Sequence, residues 1–214
     1  MSENRNLNKI KLISLLLILS LVLIIIIVNA VKLGVQTIYP RQYVELVEEN
    51  AERFEIDEAL LYALIKSESG FDKNAVSSVG AKGLTQITPD TFQWLQTKTG
   101  DSYDEDALFE PEVSVYYGAY FLDMLLQEFD NVETALAAYH AGRGKVNEWL
   151  ADPRISPDGV VLENIPYEDT AGYVKRVMKN TEKYTLRHLY RFLYRMYLIQ
   201  THLLRVVSLQ DLIA

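Results

Sequence analysis

Apolar residues recur along most of this chain at the three- and four-residue spacing that is typical of helices. The spacing predicts helices over residues 41–54, 57–68, 89–97, 111–129, 132–141, 146–150 and 168–184. The sequence shows no convincing run of alternating apolar and polar residues, which an amphipathic strand would require. We therefore predict a compact all-α fold, in which the loops leave room for a small hairpin.

One acidic residue falls on the apolar face of the second of these helices. Leu61, Leu64, Ile65 and Glu68 stand at positions i, i+3, i+4 and i+7, which share one face. A carboxyl held there is shielded from water, so we expect its pKa to lie above the usual value of about 4.3. Glu68 is therefore predicted to hold a proton near neutral pH, as a general acid must.

The ends of several helices can also be predicted from single residues. Asp57 can cap the helix that carries Glu68, and Gly70 ends that helix two residues after the acid. Thr88 and Pro89 mark the start of the next helix, and Asn131 can cap the helix over residues 132–141. Glu68 is thus expected in the last turn of a helix, beside a loop, where active-site residues often lie.

The N-terminal segment has a different character. Residues 12–28 contain no charge and are preceded by Arg5, Lys9 and Lys11. The length and the basic flank predict a single transmembrane helix with a cytoplasmic N-terminus, so residues 1–38 form the predicted anchor. A cleaved signal peptide is the alternative, because Val28-Asn29-Ala30 resembles a cleavage site. Under either interpretation, residues from 39 onward are expected on the extracytoplasmic side of the cell membrane.

Composition excludes several kinds of chemistry. The 214 residues include no cysteine, which rules out disulfides, thiolate metal sites and a cysteine nucleophile. The three histidines lack metal-ligand spacing, so we predict no metal and no other cofactor. The acidic run at residues 101–106 could suggest calcium, but the glycine and glutamate spacing of an EF-hand is missing.

Charge is distributed unevenly along the chain, whose formal net charge is -8. Residues 41–184 hold 13 basic and 27 acidic residues, so this region alone carries a net charge of -14. Nucleic-acid binding depends largely on Lys and Arg against phosphates, and we therefore expect no nucleic-acid partner.

The segment from 185 to 214 is basic and apolar. Arg187, Arg191 and Arg195 fall on one stripe of a predicted helix whose other positions are mostly apolar. One interpretation is a helix packed on the domain or on a partner protein, and the other is an amphipathic helix lying on the membrane. We treat residues 185–214 as a separate tail with a possible protein or membrane partner.

Four ordered blocks of sequence resemble the soluble-lytic-transglycosylase family, which cleaves bacterial peptidoglycan. The blocks are IKSESGF, GAKGLTQITPDT, ALAAYHAGRGKV and IPYEDTAGYVKRV, and they lie within residues 57–184. The resemblance implies a goose-type-lysozyme-like fold and a catalytic domain over residues 39–184. It also implies that the substrate is the glycan strand of peptidoglycan.

The resemblance assigns roles to individual residues. Glu68 matches the family's single catalytic acid/base. The remaining matches are polar residues expected to line the glycan groove or to lie near the acid: Ser77, Gln86, Tyr139, Asp169 and Tyr173.

The chain also departs from the family pattern at four positions. His140 replaces the asparagine of AYNAG, Thr85 replaces the methionine of GLMQ, and Thr88 replaces a frequent methionine. Ala171 stands where an arginine is often found. We expect these changes to affect subsite preference and rate more than the chemistry, with His140 a packed or groove-edge residue.

The expected reaction is cleavage of the β-1,4 bond between N-acetylmuramic acid and N-acetylglucosamine, leaving a 1,6-anhydro end. The resemblance implies that Glu68 acts first as acid and then as base. A lysozyme-like hydrolase is one alternative, and it would need a second carboxylate such as Asp72 or Asp169 to activate water. A glycan-binding or scaffolding module without turnover is the other.

Overall fold

The computed structural model describes the backbone of residues 2–211 and the side chains of residues 15–190, apart from those at positions 17, 21, 31, 32 and 35. The chain forms two compact units, residues 1–41 and residues 42–214. The first unit contains one helix, α1 (Ser2–Ile38). Within the part of the chain that the structure describes, no helix combines the length and the apolar character needed to cross a membrane. The predicted anchor over residues 12–28 includes side chains outside the described residues, and it stays a prediction.

The second unit is built from helices, as the apolar spacing predicted. They are α2 (Val44–Arg53), α3 (Glu58–Glu68), α4 (Pro89–Thr99), α5 (Pro111–Glu128), α6 (Val132–Ala141), α7 (Arg143–Leu150) and α8 (Glu168–Asp211). A short 3-10 helix, Glu105–Phe109, lies between α4 and α5. The described residues form no strand, but isolated antiparallel bridges join Lys82 to Val76 and to Ile87. The predicted hairpin is therefore reduced to these two bridges.

Three of the predicted caps are confirmed by their hydrogen bonds. The Asp57 carboxylate accepts from the backbone N–H of Ala59 at 2.7 Å and starts α3. Thr88 caps α4, and its hydroxyl accepts from Thr91 N–H at 3.3 Å, with Pro89 in the first turn. Asn131 caps α6 in the same way, accepting from Thr134 N–H at 2.9 Å. Each bond satisfies a helix N–H that has no partner inside its own helix.

Helix α3 lies at the centre of the second unit because it is apolar around most of its circumference. Leu61, Leu64 and Ile65 are fully buried. The helix packs mainly against α8 and also against α2. Tyr62 of α3 and Tyr184 of α8 stack with ring centroids 5.2 Å apart. Glu68, at the end of α3, consequently follows a run of seven buried residues, Ala59 to Ile65.

Helix α8 is longer than predicted. It runs without interruption through the predicted boundary at residue 184 and continues to Asp211. His188 Nε2 lies 2.9 Å from Glu58 Oε2, so the start of the predicted tail contacts α3. Side chains beyond position 190 lie outside the described residues, and the predicted roles of the tail on a membrane or partner stay predictions.

The acidic segment around residues 101–106 is partly helical and partly neutralised within the chain. The apolar spacing predicted no helix there, but Glu105 and Asp106 lie in the 3-10 helix. Asp104 caps that helix by accepting from the N–H of Asp106 at 3.0 Å. Lys82 Nζ contacts Glu105 at 2.9 Å and Asp106 at 2.6 Å. Asp104 thus caps the 3-10 helix, while Glu105 and Asp106 form ion pairs with Lys82 of a neighbouring loop.

Candidate active site

The end of α3 is shaped to present Glu68 beside a turn. Gly70 and Phe71 both have left-handed backbone conformations, with φ of 60° and 72°, which turn the chain sharply after the helix. The Ser69 hydroxyl lies 2.9 Å from the carbonyl oxygen of Leu84, to which it can donate. This contact joins the end of α3 to the segment that carries GLTQ, so two of the four sequence blocks meet here.

Glu68 is half-buried and hydrogen-bonded to α8. Its Oε1 accepts a hydrogen bond from the Tyr173 hydroxyl at 2.5 Å. Burial raises the pKa of Glu68 to about 7, while the bond from Tyr173 and the positive charge of Arg176 act in the opposite direction and are smaller. The side chain therefore exchanges its proton near neutral pH, and the prediction that its pKa is raised agrees with this geometry.

Tyr139 approaches the same carboxyl from α6. Its hydroxyl donates to the carbonyl oxygen of Thr85 at 2.8 Å, and its ring packs on Phe121 with centroids 5.1 Å apart. Burial raises the pKa of Tyr139 well above its usual value, and the charge of Glu68 adds to the increase. Tyr139 thus stays neutral near Glu68, and two tyrosines from two helices flank one acid.

Thr85 is a buried support for Tyr139. Its side chain is fully buried, and its hydroxyl donates to the carbonyl oxygen of Ser114 at 2.7 Å. The Thr85 N–H donates in turn to the Ser114 hydroxyl at 3.2 Å. The structure places Thr85 in the core, against α5. The expected effect of this departure from methionine on subsite preference and rate stays a prediction.

Ser77 and Gln86 organise the loop between α3 and α4. The Ser77 hydroxyl accepts from the N–H groups of Val79 and Ala81 at 3.3 and 3.0 Å. Gln86 has a left-handed backbone with φ of 50°, and its Nε2 donates to the carbonyl oxygens of residues 75 and 83. The bonds described for these two side chains are with backbone groups of the loop, and their predicted contacts with glycan stay predictions.

Asp169 lies on an open groove beside α6. It is exposed in the first turn of α8, and the groove has a volume of about 610 Å³. The other lining residues are His140, Ala141, Pro166, Tyr167, Glu168 and Thr170. The charge of Asp169 partly offsets the burial and the Arg176 charge that lower the pKa of His140. Asp169 therefore acts electrostatically on His140, at the edge of the site.

Two groups at the site were missed by sequence reasoning. Arg176 lies with its guanidinium carbon 5.6 Å from the ring centre of Tyr173, and Thr170 Oγ1 lies 3.1 Å from His140 Nδ1. Both residues stand three positions from Tyr173 on α8. The helical spacing around Tyr173 was the signal that could have identified them.

A second groove lies away from Glu68. Its volume is about 450 Å³, and it is lined by residues of α2, the N-terminal half of α5 and the loop between α4 and the 3-10 helix. None of the predicted site residues lines it. Among the side chains that the structure describes, no group of three His, Asp or Glu residues is placed to hold a metal ion.

Comparison with known proteins gives consistent matches. The sequence profile of the transglycosylase SLT domain matches residues 45–158. The chain is 33% identical over 144 residues to the soluble lytic murein transglycosylase of Salmonella typhimurium, covering 65% of this chain and 22% of that protein. It therefore spans about a fifth of the length of that curated relative.

Two solved structures share the fold. One is the 70-kDa soluble lytic transglycosylase of Escherichia coli, with a TM-score of 0.65 and 30% identity over 72% of this chain and 26% of that one. The other is an inactive mutant of the lytic transglycosylase Slt from Pseudomonas aeruginosa, in which a glutamate is replaced by glutamine. It has a TM-score of 0.60 and 31% identity, covering 67% of this chain and 24% of that one.

Proposed function

Because this chain belongs to the transglycosylase SLT domain family, we propose that it is a lytic transglycosylase that cleaves the glycan strands of peptidoglycan. The observation that carries the proposal is the position of Glu68 at the end of α3, where its carboxyl accepts a hydrogen bond from Tyr173 at 2.5 Å and burial raises its pKa to about 7. Such a group can donate a proton at neutral pH and accept one afterwards. The inactive Pseudomonas mutant, in which a glutamate is replaced by glutamine, supports a catalytic glutamate.

In the first step, protonated Glu68 donates its proton to the oxygen that links N-acetylmuramic acid to N-acetylglucosamine. The bond between this oxygen and C1 of the muramoyl sugar breaks, and the positive charge that develops is stabilised by the sugar's own 2-acetamido group. Glu68 is left as a carboxylate. The Tyr173 hydroxyl, 2.5 Å away, donates a hydrogen bond to this carboxylate, and Arg176 stabilises its charge.

In the second step, the Glu68 carboxylate removes the proton from the C6 hydroxyl of the same muramoyl sugar. The C6 oxygen then bonds to C1 and closes the 1,6-anhydro ring. Glu68 recovers its proton, so no water is consumed and no second carboxylate is required. A pKa near 7 suits both steps, because the acid and its conjugate base are then similar in free energy at neutral pH.

A hydrolase would use water in place of the C6 hydroxyl. Two-carboxylate glycosidases place their acids roughly 5 to 9.5 Å apart across the scissile bond. The groups whose interactions with Glu68 are described are Tyr139, Tyr173 and Arg176, none of which is a carboxylate. The single-glutamate mechanism needs no further carboxylate, and the reaction products decide between it and the hydrolase.

The products distinguish these reactions. The full-length chain is incubated with peptidoglycan sacculi, and the soluble products are analysed by mass spectrometry. We expect muropeptides that end in 1,6-anhydro-N-acetylmuramic acid. Reducing ends, one water heavier, would identify a hydrolase, and binding to sacculi without release would identify a glycan-binding module.

We also propose that residues 1–38 hold the catalytic unit at the outer face of the cytoplasmic membrane. The support comes from the uncharged run over residues 12–28 and from the exposure of its described side chains, such as Leu19 and Ile24. In cells that express the chain, the intact protein should stay in the membrane fraction after carbonate washing. A soluble protein that has lost its first 30 residues or so would instead identify a cleaved signal peptide.

A further inference from the structure

Two consecutive residues of α6 contact different parts of the site. Tyr139 bonds to Thr85, whereas His140 stacks on Tyr173 with ring centroids 4.5 Å apart and an angle of 27° between the rings. Tyr173 is almost completely buried, with 1% of its surface exposed. The imidazole of His140 therefore covers part of the residue that hydrogen-bonds to Glu68.

His140 is also attached to the first turn of α8. Its Nδ1 lies 3.1 Å from the hydroxyl oxygen of Thr170, which is itself 2% exposed. Thr170 and Tyr173 are one turn apart on α8. The imidazole thus contacts α8 at two points, once through a hydrogen bond and once through its ring, while its other side opens onto the groove that Asp169 lines.

We propose that His140 is a positioning residue that holds Tyr173 on Glu68 and keeps water away from their hydrogen bond. The inference rests on the proposed function, since it concerns how Glu68 stays protonated at neutral pH. Nothing in the family pattern predicts it, because the matching position usually carries asparagine. An asparagine side chain has no ring to stack on Tyr173.

The charges and hydrogen bonds around Glu68 determine the direction of the expected effect. Burial raises the pKa of Glu68, and this influence is larger than the opposite effects of the Tyr173 hydroxyl and Arg176. Loss of the imidazole would admit water and weaken the Tyr173 bond at the same time. Because burial is the larger influence, we expect the pKa of Glu68 to fall.

The test compares three variants of the full-length chain. His140→Ala removes the ring and the bond to Thr170, His140→Gln removes the ring but keeps a hydrogen-bonding group for Thr170, and His140→Phe keeps a ring and loses the bond. The pH dependence of kcat/KM is measured on soluble glycan strands. Glu68 is titrated in parallel through the carbon-13 shift of its carboxyl, and thermal unfolding shows whether each variant is folded.

For His140→Ala and His140→Gln, we expect both the alkaline limb of the pH profile and the Glu68 midpoint to move down by about one pH unit. The rate at pH 7 should fall about fivefold, mostly in kcat, because the group acts through Glu68. For His140→Phe, the midpoints of the alkaline limb and of the Glu68 titration should stay within about 0.3 pH unit of the wild-type values, since the ring still covers Tyr173.

Two results would overturn the inference. One is a folded His140→Gln chain whose Glu68 midpoint matches that of wild type. The other is a shift in His140→Phe as large as the shift in His140→Gln, because the ring would then have no role. An inactive wild type would instead overturn the proposed function, and the carboxyl titration would still test the role of His140.

Discussion

At the scale of single residues, the pKa of Glu68 reflects a balance between burial and local hydrogen bonding. Burial raises the pKa and is the largest influence, while the hydrogen bond from Tyr173 and the charge of Arg176 lower it. A site with burial alone would hold the proton too tightly to release it to the glycosidic oxygen. A site with the hydrogen bond and the cation alone would leave Glu68 ionised at neutral pH. The combination places the pKa at about 7.

The raised pKa predicts a cost in stability at alkaline pH. The usual pKa of the group is 4.5 and its pKa in the folded chain is about 7, so between these values the folded state binds more protons than the unfolded state. The contribution of protonated Glu68 to the free energy of unfolding is therefore fully present below pH 4.5 and is lost as the pH rises through about 7. At about pH 8, the free energy of unfolding of Glu68→Gln should exceed that of wild type by on the order of 1 to 3 kcal/mol. Near pH 4, the two free energies should be equal. Urea unfolding at both pH values measures this difference, and a difference independent of pH would contradict the account.

Tyr173→Phe should change the pH profile in the opposite direction from loss of His140. The phenol hydrogen bond lowers the pKa of Glu68, so its removal should move the alkaline limb of kcat/KM upward by about one pH unit. Tyr117→Phe is a matched control, because it also removes a hydroxyl that donates to a carboxylate, Asp101, at 2.6 Å, but in the second groove, which Glu68 does not line. An unchanged limb in Tyr173→Phe, or an equal shift in Tyr117→Phe, would show that the Tyr173 bond does not tune Glu68.

Local pattern identified Glu68 but not the supports around it. The apolar spacing of α3 was sufficient to predict a shielded carboxyl, because the four residues involved lie within two turns. The contact between Thr85 and Ser114 joins positions 29 residues apart. The left-handed backbone of Gln86 and the stacking of His140 on Tyr173 depend equally on tertiary packing. Such features have no short-range signature in the sequence.

At the scale of elements, α5 passes unusually close to the GLTQ segment. A Cβ atom added to Gly118 would lie 2.4 Å from the Cβ and Cγ2 atoms of Thr85, well inside van der Waals contact. This approach allows Thr85 to reach Ser114 and to receive the hydroxyl of Tyr139. The small residue on α5 and the tyrosine near the acid are therefore connected through one threonine.

Gly118→Ala should consequently damage both stability and the site. We expect a loss of about 2 to 4 kcal/mol in the free energy of unfolding, because the added methyl group would overlap Thr85, which is fully buried. Gly144→Ala in α7 is the control, since an added Cβ there meets nothing within 4 Å and alanine favours the helix. Thermal unfolding of both variants tests this, and a Gly118→Ala chain as stable as wild type would contradict the close approach.

The helix boundaries show which elements can be predicted from local residues. Asp57, Thr88 and Asn131 mark starts that the structure confirms, because a cap is a bond between near neighbours in the sequence. The boundary at residue 184 was placed on a change in composition. No glycine or proline follows it before Asp211, so nothing in the chain interrupts α8 there.

At the scale of the whole molecule, α8 contributes both to the active site and to the core. Tyr173 near its start contacts Glu68, and Tyr184, about three turns later, is 2% exposed and stacks on Tyr62. Asn180 Nδ2 also donates to the Ser67 hydroxyl at 3.0 Å, next to Glu68 on α3. The core of the domain therefore extends at least as far as Tyr184.

Truncations within α8 should reveal where the core ends. A chain that ends at residue 190 keeps Tyr184 and His188 and should retain cooperative unfolding and cleavage of sacculi. A chain that ends at residue 180 loses the Tyr184 stack and should be destabilised by about 3 to 5 kcal/mol, the usual cost of deleting a buried aromatic side chain. Equal stability of the two truncations would contradict the role of Tyr184, and unfolding of the longer one would place residues 191–214 in the core.

The central claim is that the proton held by half-buried Glu68 drives glycan cleavage. It is tested most directly by measuring, on the same full-length protein, the carbon-13 titration of the Glu68 carboxyl and the alkaline limb of kcat/KM on soluble glycan strands. The account predicts that the two midpoints coincide near 7, and that Glu68→Gln abolishes both the titration and the cleavage. A Glu68 midpoint near 4.5, or cleavage that persists in Glu68→Gln, would contradict it.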